Sequence, residues 1–113
     1  MVSLEIKIEL PKEEYRKVQE NGKTVIYCTM RQKVLHVVGL DHNRPYTRHG
    51  KKFYRPYRNS WGGRDADLDK LVEAGLMNAY PSERTGERYW YSFNRAGLDW
   101  LGEQIGVKIL DEE

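Results

Sequence analysis

The amino-acid sequence predicts a single α+β domain. Its 113 residues match the length of one domain, and 39% hydrophobic with 32% charged residues is typical of a globular chain that buries a core. Apolar residues alternate with polar ones near the N-terminus, as in a strand, whereas three later segments repeat them at helical spacing. Because both periods occur in a chain too short for two full domains, we expect helices and strands to share one core.

Residues 1–28 are predicted to form a strand-helix-strand extension. SLEIKIEL alternates apolar and charged residues, so residues 4–10 are predicted as a strand. Pro11 suits a first helical turn and Asn21-Gly22 suits a C-terminal cap, which predicts a helix over residues 11–20. The alternative uses Asn21-Gly22 as the turn of a hairpin between YRKVQ and KTVIY. KTVIYC, carrying Val25, reads as a strand in either case.

Residues 29–40 are predicted to form a core helix. The Thr29 hydroxyl is expected to accept a hydrogen bond from a free backbone N–H at the start of MRQKVLHVVGL. Gly39 ends the pattern, and His36 is interpreted as a packed or boundary imidazole rather than a ligand. The apolar residues that share one helical face are Met30, Val34, Val37 and Val38.

Residues 65–106 are predicted to form a helix, a hairpin and a last helix. DADLDKLVEAGLM has acids in its first turn and a stop at Gly75. LMNAY and RYWYSF alternate as strands around PSERTGE, where Pro81 and Gly86 fit a turn. Asn94 is expected to cap RAGLDWLGEQI, which ends at Gly106. VKIL then reads as a short strand, and the N-terminal strand is its expected neighbour.

The segment between these regions, residues 41–64, is strongly basic. From position 44 to position 64 it holds seven Lys or Arg residues and no acid, although the whole chain has a net charge of only +2. Cations neutralise phosphates and aromatic rings stack on bases, so this composition suits a nucleic-acid or other anionic partner. The interleaved aromatic residues are Tyr46, Phe53, Tyr54, Tyr57 and Trp61.

Two prolines and three glycines predict that this basic insertion is a long loop with a short hairpin through KKFYRPYR. Long loops inside compact domains are usually functional or mobile. In the alternative interpretation, the aromatic side chains pack onto the domain while the Lys and Arg side chains keep the loop in water. The sequence leaves both interpretations open.

Other chemistry finds no support in the sequence. Cys28 and the three histidines are widely and irregularly spaced, so no metal site or cofactor is expected. The phosphate-loop, dinucleotide-binding and nucleophile-elbow motifs are missing, so we do not expect an enzyme. The chain has a single cysteine, and its sequence shows neither an apolar run of membrane length nor a signal-peptide pattern. We therefore predict a soluble cytoplasmic protein without a membrane partner.

The run LDKLVEAGLMNAYPSERTGERYWYSFNRAGLDWL, residues 68–101, resembles the second half of winged helix-turn-helix domains. Such domains show a helix ending in EAGL, a two-stranded wing, a tyrosine-rich strand and a helix that begins near an AG pair. The resemblance implies a winged-helix-like core of residues 29–40 and 65–106. TMRQKVLHVVGLD, PYRN and DLDKLVEAGLM also resemble small uncharacterised phage and prophage proteins.

The resemblance implies that the helix at residues 65–74 lies in the major groove and that the hairpin at residues 81–88 touches the DNA backbone. That helix carries four acids against Lys70 alone, and each acid close to a phosphate costs about 1 kcal/mol even in water. We therefore expect the basic insertion and the wing to make the contact. The four acids are Asp65, Asp67, Asp69 and Glu73.

The sequence thus predicts a non-enzymatic, phage-type protein that binds DNA or RNA, in the host cell cytoplasm if it is phage-encoded. The alternatives are a protein-interaction module that engages or inhibits a host protein, and a winged fold that serves virion assembly or dimerisation as a homodimer. Tyr54, Tyr57 and Trp61 are expected to stack on bases or to position the loop. The predicted phosphate contacts are Arg44, Arg48, Lys51, Lys52, Arg55, Arg58, Arg84 and Arg88.

Overall fold

A computed structural model describes residues 8–81 and 89–110 and has an α+β fold. In the described part, three helices pack with three small sheets, whose strand orders are β1-β2, β3-β4-β8 and β5-β7-β6. The elements are β1 (Tyr15–Glu20), β2 (Lys23–Cys28), α1 (Met30–Val38), β3 (Tyr46–Arg48), β4 (Lys51–Tyr54), β5 (Trp61–Gly62), α2 (Ala66–Glu73), β6 (Met77–Pro81), β7 (Tyr89–Phe93), α3 (Arg95–Ile105) and β8 (Lys108–Ile109).

The predicted helix over residues 11–20 is wrong, and the hairpin alternative is confirmed. Strands β1 and β2 pair antiparallel, with Val18 opposite Val25. Asn21 and Gly22 have φ values of 49° and 76°, the left-handed pair that a tight hairpin turn requires. The turn chemistry therefore outweighs the weak helical signals around Pro11.

The predicted N-terminal strand lies mostly outside the described residues, and residues 8–10 are not part of a strand. They run along α3 instead. The Trp100 Nε1–H donates to the Ile8 carbonyl at 2.9 Å, and the Leu10 N–H donates to Gln104 Oε1 at 2.9 Å. This segment is therefore tied to the last helix through its backbone.

Helix α1 begins and ends where the sequence predicts, but Thr29 does not cap it with its side chain. The Thr29 hydroxyl donates to the Glu13 and Glu14 carbonyls at 2.6 and 3.0 Å, so it joins the base of the β1–β2 hairpin to the helix. Gly39 has a φ of 83° and occupies the left-handed position after the last turn.

The hairpin β6–β7 and the predicted Asn94 cap are confirmed, and Asp65 forms a further cap that was not predicted. The Asp65 side chain accepts from two backbone N–H groups of α2, and the Asn94 side chain accepts from the Gly97 N–H in α3. A side chain at Gly97 would overlap with the Leu76 carbonyl oxygen, so glycine lets α3 lie directly on the start of β6. The turn at residues 82–88 lies outside the described residues.

Most of the N-terminal strand expected beside VKIL lies outside the described residues, and within them the neighbour of VKIL is β4. Strand β8 pairs parallel with β4, with Ile109 opposite Tyr54, and the Leu110 N–H donates to the Tyr54 carbonyl at 2.8 Å. This pairing draws the basic insertion into the fold. Residues 41–64 are therefore not one long loop, because β3, β4 and β5 all lie within them.

The core lies between the three helices, the β5-β7-β6 sheet and the inner side of β4 and β8. Burial of these apolar side chains is what holds the small sheets to the helices. The buried apolar residues are Val34, Val37, Val38, Tyr54, Leu68, Leu71, Met77, Tyr91, Phe93, Leu98, Leu101, Val107 and Ile109.

Candidate nucleic-acid interface

The β3-β4-β8 sheet has one face in the core and one face in solvent. Tyr54 and Ile109 are paired across β4 and β8 and are both buried, so they define the inner face. Residues opposite each other in a sheet share a face, and the face alternates at each position. The outward side chains, here called the basic sheet face, are Tyr46, Arg48, Lys51, Phe53 and Lys108.

Two aromatic rings lie next to each other on the basic sheet face. Tyr46 and Phe53 are cross-strand partners whose ring centroids are 5.9 Å apart, with an angle of 25° between the ring planes. Phe53 is half-buried, whereas Tyr46 keeps 49% of its surface exposed. An exposed ring stacked on a second ring is a preformed apolar surface beside the cations.

Two of the cations on this face are also cross-strand partners. Arg48 lies opposite Lys51, and both are exposed. Within the described residues neither side chain forms an ion pair or a hydrogen bond. Like charges directly opposite each other destabilise a hairpin, so this pair is not explained by the stability of the fold. An anionic partner would relieve that repulsion.

The remaining cations on or near this sheet either lie outside the basic sheet face or have an acid nearby. Lys52 is exposed on the opposite face, and Arg44 is exposed just before β3. Lys108 lies near Asp99, whose pKa is lowered chiefly by its hydrogen bond to Arg95 and further by the charge of Lys108. Lys108 is therefore the most compensated cation of the basic sheet face.

Tyr54 has a packing role. Only 4% of its surface is exposed, and its hydroxyl donates to the Val38 carbonyl at 2.7 Å. This bond ties β4 to the end of α1, and it leaves no ring face open to a base. Tyr54 was expected either to stack on bases or to position the loop. Its burial fits the second role, in which it positions the hairpin.

Arg58 and Trp61 also hold the basic insertion against α1. Arg58 Nε–H donates to the His36 carbonyl at 3.0 Å, and its Nη2 lies 3.2 Å from Asp41 Oδ1. The Trp61 ring meets the His36 ring edge-on, with 5.4 Å between centroids. Because Asp41 already pairs with Arg58, this cation contributes less to an anionic contact than Arg48 or Lys51.

Asp41 is the centre of this cluster. Its Oδ2 lies 2.7 Å from His36 Nδ1, and the carboxylate is only 10% exposed. Burial raises the pKa of Asp41, but the hydrogen bond and charge of His36 lower it by more, so its pKa lies below the usual value of 3.8. The carboxylate is therefore charged at neutral pH.

Tyr57 and Arg55 lie on the segment between these anchors, and both are exposed. The Tyr57 ring rests on Gly39, where an added Cβ would overlap with it, and Arg58 lies 5.4 Å from the centre of the same ring. One side of Tyr57 is thus occupied by the protein, although 53% of the residue is exposed.

The acidic helix α2 is less exposed than its sequence implies. Lys33 of α1 places its Nζ 2.9 Å from carboxylate oxygens of both Asp65 and Asp67. Asp69 accepts a hydrogen bond from the Tyr91 hydroxyl at 2.7 Å. The expectation that Lys70 alone faces four acids is therefore wrong, because three of them are engaged by groups outside the helix.

The structure brings together only part of the predicted site. Arg48 and Lys51 share a face, while Arg84 and Arg88 lie outside the described residues. The sequence interpretation named Tyr46 and Phe53 among the aromatic residues of this segment but not among the predicted contacts, and it missed Lys108. Two-residue alternation on both sides of His49-Gly50 was a signal for the first two, whereas Lys108 needed the parallel pairing of β8 with β4.

Among the described residues, no group of three or more His, Cys, Asp or Glu side chains is placed to hold a metal ion. No described helix is long and apolar enough to cross a membrane. No protein-family model matches the sequence, and neither a curated protein nor a solved structure is significantly similar to it.

Proposed function

We propose that this protein binds nucleic acid through the basic sheet face. The observation that carries the proposal is the cross-strand arrangement of Arg48 with Lys51 beside Tyr46 with Phe53, all on the solvent side of one sheet. Cations bind phosphates, and an exposed aromatic ring binds bases. None of the five residues that define this face is acidic.

The flanking cations extend the positive surface. Arg44 is exposed just before the hairpin, so a phosphate backbone that crosses the basic sheet face meets Arg44, Arg48 and Lys51, while Lys52 adds positive charge from the opposite face. Each phosphate that is neutralised releases counterions, which makes the affinity fall with salt. Arg84 and Arg88 are predicted to add contacts from the wing.

In this proposal the chain is winged-helix-like, with α2 followed by the β6–β7 hairpin and α3 as the resemblance implies. Lys33 of α1 forms ion pairs with Asp65 and Asp67 at the start of α2. We therefore assign α2 a structural role in the fold and not the role of a recognition helix in the major groove. The contact therefore falls to the basic insertion. The phage-type origin stays a prediction from the resemblance.

Charge reversal on the basic sheet face tests the proposal. We expect the Arg48→Glu/Lys51→Glu variant to lose at least about tenfold in affinity for a labelled oligonucleotide, because two phosphate contacts become repulsions. The matched control is Lys12→Glu/Lys70→Glu, which makes the same change in net charge at two exposed lysines outside this sheet. Equal losses in both variants, or no loss in either, would contradict a specific role for the face.

A second candidate function, self-association, is favoured by the β1–β2 hairpin. Tyr15, Ile26 and Tyr27 are 49%, 59% and 39% exposed there, and only Val18 and Val25 of the two strands are half-buried. Within the described residues, β1 pairs with β2 alone. A strand edge with exposed apolar residues beside it is a ready site for pairing with another chain.

The charges of β1 fit a second copy of this chain. If two β1 strands pair antiparallel about Val18, position 16 of each copy lies opposite position 20 of the other. Arg16 then faces Glu20 twice, and these residues share a face with Val18. Sedimentation should detect a dimer that Arg16→Glu weakens and that Arg16→Glu/Glu20→Arg restores.

A strict monomer at high concentration would contradict this second function. The function would also be contradicted if the Arg16→Glu/Glu20→Arg variant dimerised as weakly as the Arg16→Glu variant. A monomer that forms a stoichiometric complex with one identified host protein would replace self-association by the host-protein alternative.

A further inference from the structure

The basic sheet face has two aromatic residues, Tyr46 and Phe53. The Tyr46 ring is covered by Phe53 on one side and is open on the other. Phe53 is stacked beside it on β4, with the ring planes 25° apart. In the described part of the chain, β3 is the edge of its sheet, so the side of Tyr46 that faces away from Phe53 looks toward the open edge.

Within the described residues, the Tyr46 ring has no ring contact other than its cross-strand stacking on Phe53. Tyr54 and Tyr91 are buried and donate their hydroxyls to protein acceptors, whereas the Tyr46 side chain makes no hydrogen bond within the described residues. It is 49% exposed on a three-residue strand whose residues are all exposed. A ring held in place by a second ring and left open on one side is arranged to accept a third planar group.

Two cations, Arg48 and Lys51, lie close to the open side of the Tyr46 ring. Arg48 follows Tyr46 by two residues on the same face, about 7 Å along the strand. Lys51 lies across from Arg48. A planar group stacked on Tyr46 would therefore have a positive charge within reach of an anion covalently attached to it, as a nucleotide has its base and its phosphate.

Stacking also discriminates between forms of nucleic acid. In a duplex the base faces are already stacked on each other, and a surface ring reaches only the backbone or the groove edges. In a single strand the bases can splay out and stack on aromatic side chains, without a requirement for a particular sequence. An exposed ring beside cations can therefore stack on unpaired bases but not on bases inside a duplex.

We propose that Tyr46, supported by Phe53 and flanked by Arg48 and Lys51, is a base-stacking site that makes this protein prefer single-stranded nucleic acid over duplex. This inference rests on the proposed nucleic-acid binding and specifies its ligand. The cations supply affinity for either form, while Tyr46 supplies the preference.

The test compares a labelled oligothymidine strand with a duplex of the same length at the same salt concentration. We expect the unaltered protein to bind the single strand more tightly. Tyr46→Leu, which keeps an apolar residue but loses the ring, should weaken single-strand binding by about 5- to 150-fold and leave duplex binding almost unchanged. Tyr46→Phe keeps the ring and should bind like the unaltered protein.

Two further variants separate failure of this inference from failure of the proposed function. Arg48→Glu/Lys51→Glu should weaken binding to both forms. Tyr15→Leu removes a ring on the β1–β2 hairpin that is as exposed as Tyr46, at 49%, and it should change neither strongly. If Tyr46→Leu binds both forms as the unaltered protein does, or loses both equally, the stacking site is contradicted. If the double charge reversal also has no effect, nucleic-acid binding by this face is contradicted as well.

Discussion

Lys33 Nζ lies 2.9 Å from carboxylate oxygens of both Asp65 and Asp67 and so joins α1 to the first turn of α2. Burial lowers the pKa of Lys33, but its hydrogen bonds and charge interactions with the two carboxylates raise it by more. Since all three side chains are mostly buried, removal of the lysine leaves two acids close together without their shared cation.

We expect Lys33→Ala to lower the free energy of unfolding by roughly 1–3 kcal/mol, between the values for exposed and buried ion pairs. Urea denaturation monitored by circular dichroism measures this loss. Lys70→Ala is the control, because Lys70 is an exposed lysine on the same pair of helices and should change stability by no more than about 0.5 kcal/mol. Equal effects of the two substitutions would contradict the bridging role.

Gly39 should tolerate no side chain, for two separate reasons. Its φ of 83° is strained for an L-residue, and an added Cβ would overlap with the Tyr57 ring. Gly22 has a similar φ of 76° but nothing within 4 Å of an added Cβ, so Gly22→Ala measures the backbone strain alone.

We expect Gly22→Ala to cost about 1 kcal/mol of unfolding free energy and Gly39→Ala to cost roughly 1–2 kcal/mol more, because Tyr57 must move. Thermal or urea unfolding of both variants gives the comparison. If the two costs are the same, Tyr57 does not rest on Gly39 in solution.

The pKa of Asp41 predicts how stability changes with pH. Because His36 holds this pKa below the usual value of 3.8, the folded protein binds the proton less tightly than the unfolded chain does. The contribution of Asp41 is therefore present above about pH 4 and is lost as pH falls through its lowered folded-state pKa.

Asp41→Asn removes this titration. We expect the variant to be less stable than the unaltered protein at pH 7 and to show a smaller loss of stability on acidification. Urea midpoints at a series of pH values between neutrality and strong acid provide the measurement. Parallel pH profiles for the two proteins would mean that His36 and Arg58 do not stabilise the charged form of Asp41.

A substitution at Tyr54 distinguishes a packing role of this residue from a role in partner contact. Its buried hydroxyl donates to the Val38 carbonyl, so Tyr54→Phe should cost about 1 kcal/mol of unfolding free energy. The same substitution should leave oligonucleotide affinity unchanged, because the ring faces the core. A large loss of affinity without a loss of stability would show that Tyr54 contacts the ligand.

The elements at residues 29–40 and 65–106 were predictable because their signals are local. Asp65 and Asn94 cap helices with their own side chains, and Gly106 has the left-handed conformation that ends α3. The first hairpin was not predictable with the same ease, since Asn21-Gly22 suits both a helix end and a tight turn. Only the pairing of Val18 with Val25 distinguishes them.

The candidate site was predictable in composition but not in geometry. Sequence places cations and aromatic residues in one insertion, but it does not say that Tyr54 points inward and Tyr46 outward. That difference follows from the pairing of β4 with β8, a contact between residues more than fifty positions apart. The ion pairs of Lys33 with Asp65 and Asp67 could not be predicted from the local charge pattern either, because they also join residues far apart in the sequence.

Salt dependence of binding tests the central claim most directly. For a single-stranded oligonucleotide, log K should fall linearly with log salt concentration between about 50 and 200 mM salt, at a slope of about −0.7 for each phosphate neutralised. With Arg44, Arg48 and Lys51 engaged, the predicted slope is roughly −2, and it should become shallower in Arg48→Ala/Lys51→Ala. An affinity that does not change with salt, or no binding at the lowest salt concentration, would contradict nucleic-acid binding by the basic sheet face.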